Sequence, residues 1–199
     1  MVDERVMAES LPVRAVLQIE PIKCVIYAAL EEIYSGFLRS VTITRQIMNH
    51  DQKTSSDQEV TLKVPIAKGA IAGTKVLFES AGHQRQGQTG HVEFEIRIAP
   101  HPIYRREGDN LVVKKELYIT EALTGGSVRI STLDGRTLSI AISKVILPGS
   151  RTLVSGEGLI GPTGNRGDLF IEYQVKYPDQ ISLANKQALR HLLPVPVDG

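Results

Sequence analysis

The chain has 199 residues, 42% of them hydrophobic and 23% charged, with a formal net charge of +1. That length suits one large domain or two small ones, the apolar share can bury a core, and near-neutrality removes any global pull toward nucleic acid or an anionic membrane. With 5% aromatics, no tryptophan and the single cysteine Cys24, a base-stacking surface is disfavoured, and an internal disulfide framework and Cys-rich zinc modules are excluded.

The first ten residues are charged and mixed, so no signal peptide is expected, and no apolar run approaches the roughly 20 residues of a membrane span. A reduced, cytosolic protein is the expectation. From residue 23 the pattern has period two. KCVIYAA (23–29), RSVTITR (39–45), EVTLKVP (59–65), TKVLFES (74–80) and HVEFEIRI (91–98) each read as a short strand. LVVKKELYI (111–119), GSVRIST (126–132), TLSIAIS (137–143), RTLVSG (151–156) and DLFIEYQVKY (168–177) follow. They are β-branched and alternating, with Gly, Pro, Asn and Asp between them. In TLDGRT the pair Asp134-Gly135 predicts a two-residue hairpin turn with positive φ. LEEIYSG (30–36) and ITEAL before Gly125 read as single helical turns ended by glycine. Residues 181–193 place Leu183, Leu189, Leu192 and Leu193 on one face of a short helix. The chain is mostly β, with a helix at its end.

It also repeats itself. LEEIYSG, paired strands, VPIAKGAIAGTKVLFESAG and GHVEFEIRI in the first half match ITEALTGG, two strands, ISKVILPGSRTLVSGEG and GDLFIEYQVKYP in the second. Two copies of one unit, each small to stand alone, are expected, joined near Pro100-His101-Pro102.

The repeat bears on Arg166-Gly167-Asp168, a tripeptide that extracellular ligands display to adhesion receptors. Gly167-Asp168 stands where Gly90-His91 stands in the first copy, directly before the last strand. Glycine there turns the chain tightly and the acid bonds nearby backbone amides, so the tripeptide reads as a turn with Arg166 an ordinary loop residue. Residues 156–161 form a literal G-x-G-x-x-G, but a strand rather than a helix follows, and a dinucleotide site needs the helix. GAIAGTK (69–75) likewise has the wrong spacing for a P-loop. The histidines His50, His83, His91, His101 and His191 have no ligand spacing and no Ser/His/Asp grouping, and read as surface or loop residues. No catalytic constellation, metal site or cofactor is expected.

PIKCVIYAALEEIYSGFLRSVTITR, VPIAKGAIAGTKVLFESAG, HPIYRREGDNLVVKKELYITEAL, STLDGRT, ILPGSR, SGEGL and RGDLFIEYQVKYP, in this order, resemble the C-terminal region of DnaJ-type co-chaperones from about Pro21 to about Pro194. The resemblance implies two tandem β-sandwich barrels, the first over 21–99 and the second over 100–180. A dimerisation helix and tail follow over 181–199, and residues 1–20 are a leader without assignment. It implies that the first barrel binds extended apolar segments of unfolded clients and, in many members, the acidic tail of the seventy-kilodalton heat-shock chaperone. The zinc-binding insert with Cys-x-x-Cys repeats is absent, so the chain is similar to the zinc-free B type. The His-Pro-Asp tripeptide of a J domain is absent too, which points to an excised fragment or to a protein without that domain; no ATPase stimulation is expected.

Carried over by motif, the peptide groove lies between KCVIYAAL and RSVTITR. Cys24 and Ile26 form one wall, Val41 and Ile43 the other, and Phe94 closes the floor; the same residues also fit plain core-facing strand positions. Family members place lysines in the second of these strands, where they meet the acidic tail. Here the positions read Arg39, Ser40 and Thr42, and only Arg39 keeps the charge, which weakens tail binding. Leu183, Leu189, Leu192 and Leu193 are the expected homodimer contacts. Two functions remain open: a non-enzymatic, cytoplasmic co-chaperone module that binds clients, or a structural scaffold subunit of a larger assembly such as a ciliary axoneme.

Overall fold

Strict alternation of branched apolar and polar side chains commits most of this chain to half-buried strands. The computed structural model, which describes residues 19–49, 54–85, 87–161 and 164–193, is accordingly mainly β with short helices. The 1–20 leader lies outside the described residues except for Ile19 and Glu20, as do His50 and the tail from 194. The first half runs β1 (Ile22–Ala28), α1 (Leu30–Ser35), β2 (Phe37–Met48), β3 (Ser55–Ile66), β4 (Thr74–Phe78), the two-residue β5 (Gln84–Arg85) and β6 (Gln88–Thr89), then β7 (Val92–Ile98). The second runs β8 (Tyr104–Glu107), β9 (Asn110–Tyr118), α2 (Ile119–Thr124), β10 (Gly126–Ser131), β11 (Thr137–Ile142), β12 (Arg151–Val154), β13 (Leu169–Lys176) and α3 (Leu183–Leu192).

Sheet orders reproduce the sequence repeat. β1-β7-β4 in the first half corresponds to β9-β13-β12 in the second, where β8 is added beyond β9, and the two-stranded β2-β3 corresponds to β10-β11. The small helices also match. Glu32 accepts the Ala29 amide at 2.9 Å and Glu121 the Tyr118 amide at 3.0 Å. Gly36 (φ 74°) and Gly125 (φ 86°) end their helices in a backbone region that disfavours a Cβ.

The described residues group into two compact units that are not consecutive in sequence. One holds the residues up to Val25, Ser40–Val64 and Lys75–Glu95; the other holds Ile26–Arg39, Pro65–Thr74 and the residues from Ile96 on. In the first, Val64, Val92 and Phe94 are buried, and Phe78 meets Phe94 edge-on at 5.5 Å. In the second, Leu111, Val113, Leu169, Ile171 and Tyr173 come together because β9 and β13 run parallel with Leu169 opposite Leu111. Leu30 of α1 is sunk into the same cluster, a burial that stabilises by about 1.5–3 kcal/mol. Arg106 ties the 65–74 loop to this core by donating to the carbonyls of Ala70 (2.6 Å) and Gly69 (3.2 Å).

The Asp134-Gly135 turn differs from expectation. The register closes at Ser131 opposite Thr137, so five residues form the loop, and of the pair only Gly135 has positive φ. Asp134 instead accepts from the Thr132 hydroxyl and the Arg136 guanidinium (2.8 Å to Nε), and its side chain rather than its backbone shapes the loop.

Candidate functional site

Among the described residues β2 pairs only with β3, so no described strand covers its other edge. The direction of that edge follows from three cross-strand contacts. Thr42 meets Thr61, Arg45 meets Gln58 and the Asn49 amide donates to the Thr54 carbonyl at 2.9 Å; each pair sums to the same register, so the hairpin carries no bulge. Odd-numbered residues of β2 therefore bond to β3, and the amides of Ser40, Thr42 and Thr44 face away from it. Gln46, next in the series, donates its amide to His83 Nδ1 at 3.0 Å. That contact caps the far end of the edge, and among the described residues the stretch before it stays open.

At the near end sits Arg39. Its guanidinium donates to the Tyr27 carbonyl at 2.7 Å and to Glu32 Oε1, and lies 5.9 Å from the Phe37 ring centroid. Glu32 is held in place by the helix it caps, one oxygen on the Ala29 amide and the other on Arg39. Of the positions carried over for tail binding, the one that keeps a cation thus has an intramolecular partner. Tyr27, Phe37 and Leu38 are exposed apolar side chains on neighbouring positions.

The residues that sequence reasoning put in a groove divide in two. Ile26 (4% exposed), Ile43 (6%) and Phe94 (0%) are core residues of their strands, whereas Cys24, Arg39 and Val41 are half-buried. Burial pushes the Cys24 thiol above its ordinary pKa, away from the reactive thiolate range. Ser40 and Thr42 are exposed.

Arg166 is more than a loop residue. It donates to the Tyr34 hydroxyl, lies 5.3 Å from the Tyr34 ring centroid and pairs with Glu157 at 3.8 Å. Tyr34 in turn donates to Asp134 at 3.0 Å, and Arg136 bridges Asp134 and Glu157. Asp168 accepts from the Gly156 amide at 2.8 Å and from Ser155 Oγ at 3.2 Å, twelve and thirteen residues upstream rather than in its own turn. Every side chain of the tripeptide is engaged internally. Gly167 does not have positive φ; the expected φ constraint is replaced by a steric one, since a Cβ there would lie 2.2 Å from the Asp109 carbonyl oxygen. The Gly156–Gly161 loop leads into β13 and not into a helix.

Two histidines carry structural work that spacing did not reveal. His83 caps β2. His101 Nδ1 accepts the amides of Ile103 (3.1 Å) and Tyr104 (2.9 Å), so Nε2 bears the proton and donates to Glu31 at 3.0 Å. The signal was positional, a histidine between two prolines at the join of the repeats.

α3 begins at Ser182, whose Oγ accepts the Asn185 amide at 3.3 Å. None of its residues is buried, and Leu183 (73% exposed), Leu189, Leu192 (72%) and Leu193 show apolar surface to solvent. With Ile119 and Leu123 of α2 and Tyr177, Leu189, Leu192 and Leu193 line an open groove of about 790 Å³.

Residues 22–178, which carry this strand edge and both copies of the glycine-ended helical turn, match the family model described as DnaJ C terminal domain. The chain belongs to that family. It is similar to human DnaJ homolog subfamily B member 5, 33% identical over 189 residues, covering 94% of this chain and 54% of the relative. Human DnaJ homolog subfamily B member 13 is 32% identical over 171 residues (84% and 54%), and Protein psi1 of Schizosaccharomyces pombe 31% over 182 residues (90% and 48%). The chain spans about half the length of these DnaJ relatives. Among the described residues no helix is long and apolar enough to cross a membrane.

Proposed function

We propose that this chain is the non-enzymatic, client-binding part of a DnaJ-type co-chaperone, and that it holds extended apolar segments of unfolded proteins along the open edge of β2. The observation that carries this reading is the row of outward amides at Ser40, Thr42 and Thr44, because an added strand draws affinity from main-chain hydrogen bonds and selectivity from flanking side chains. Cys24 and Val41, half-buried, are the wall positions that keep surface for a ligand, whereas Ile26, Ile43 and Phe94 are buried. Partnership with a seventy-kilodalton heat-shock chaperone, a cytoplasmic location and repeat boundaries at 21–99 and 100–180 belong to the same proposal.

Dimerisation through α3 belongs to it as well. In the first repeat Leu30 and Tyr34 of α1 pack on a core cluster. Their counterparts in α2, Ile119 and Leu123, line the open groove with the leucines of α3. A second copy of the chain is the self-complementary occupant such an apolar surface needs.

Hydrogen exchange tests the binding reading: an unfolded client should slow exchange at residues 40–44, and the chain should suppress aggregation of that client. Suppression without protection in β2 would place the site elsewhere. The scaffold alternative, with an axoneme as one such assembly, is favoured by the burial of Ile26, Ile43 and Phe94; it predicts a folded dimer with neither effect.

A further inference from the structure

We propose that Glu32 competes from within the chain for Arg39, so that the β2 edge takes neutral extended segments and discriminates against acidic ones. This rests on the reading of β2 as the binding edge. Glu32 is not a free surface acid. Its Oε2 accepts the Ala29 amide at 2.9 Å, which anchors the carboxylate at the start of α1, and its Oε1 faces the Arg39 guanidinium. Arg39 spends its other contact on the Tyr27 carbonyl at 2.7 Å. Both partners are partly shielded, with side chains 31% and 21% exposed, so their pairing is screened less than one in open water.

An incoming carboxylate meets two alternatives. It displaces Glu32, breaking the pair and leaving a capping acid without its cation, or it shares the guanidinium with Glu32 and meets like-charge repulsion. Both penalise the acid, and neither acts on a neutral segment. Ser40 and Thr42, the adjoining exposed positions, supply no second cation to offset the penalty. Arg39, carried over as the remaining contact for an acidic tail, is in this arrangement the reason such a tail is disfavoured.

The test uses two fluorescent peptides with the same extended apolar sequence, one amidated and uncharged, the other ending in a short run of glutamates. Against the unaltered protein at low salt the acidic peptide should bind more weakly, by about two- to fivefold, the range of one partly exposed pair, and added salt should shrink the handicap. In Glu32→Gln, whose amide oxygen can still accept the Ala29 amide, the ratio of the two affinities should fall to one or invert. If the unaltered protein binds the acidic peptide more tightly at low salt, or if Glu32→Gln leaves the ratio unchanged, the inference is overturned while the β2 edge reading stands. If neither peptide binds the folded protein, the edge reading itself is lost and the inference with it. The salt series needs no substitution, so a variant that misfolds does not protect the idea.

Discussion

A Cβ on Gly167 would lie 2.2 Å from the Asp109 carbonyl oxygen and 2.5 Å from its carbon, and because the obstacle is backbone no rotamer change relieves it. Gly167→Val should therefore lower stability by about 1–3 kcal/mol, as overpacking does, read as a drop in Tm; an unchanged Tm would contradict the packing described for this turn. Ile43 is buried, so Ile43→Ser loses apolar burial and brings in a hydroxyl, a cost of about 2–5 kcal/mol measurable as a lower urea midpoint. Asp134 gives a pH dependence. The Thr132 hydroxyl first, then Arg136 and Tyr34, hold its carboxyl well below the ordinary carboxylate range against an opposing cost of desolvation. A depressed folded pKa contributes stability that is present above the unfolded value, about 3.9, and is lost as the pH falls through the lower folded one. In acid titrations the unaltered protein should therefore lose stability more steeply below pH ~4 than Asp134→Asn does. At this scale the sequence was partly legible. It identified Gly167 as required but attached the wrong cause, because close approach to Asp109, far away in the chain, leaves no local trace. It could not distinguish Ile26, Ile43 and Phe94 as core from groove, since alternation gives a face and not what covers it.

Elements were more legible than residues where the pattern was apolar and periodic. β1, β9, β10 and β13 lie within a residue or two of where alternation puts them, and α1 and α2 end at the glycines that marked them. β8 escaped notice because Tyr-Arg-Arg-Glu reads as a charged loop; it is a strand because Tyr104 is buried opposite Val113 while Arg106 reaches the carbonyls of residues 69 and 70. The β10–β11 loop was misjudged because Asp134 acts through its side chain. For α3, a ten-residue helix with no buried residue is too short to be stable alone, which argues for a partner on its leucine face. Leu189→Asp combined with Leu192→Asp should halve the mass seen by light scattering while leaving the β-sheet signal in circular dichroism unchanged. An unaltered protein that is already monomeric at micromolar concentration would contradict the dimer.

For the whole molecule the repeat was the most legible feature, since turns and strands recur in one order and the sheets β1-β7-β4 and β9-β13-β12 recur with them. What the repeat could not convey is that α1 and the 65–74 loop of the first copy join one compact unit with the second copy. Those ties run through Leu30, His101, Arg106 and Tyr34, each joined to residues distant in the chain. The central claim, that the edge of β2 captures extended apolar chains, is tested most directly by titrating a labelled neutral apolar peptide and following its anisotropy. The unaltered protein and Thr42→Pro are compared. Proline removes one outward amide, at an edge position that tolerates it. Binding by the unaltered protein should be saturable, and lost or greatly weakened in Thr42→Pro with little change in Tm. No binding by the folded protein, or equal binding by the two, would contradict it.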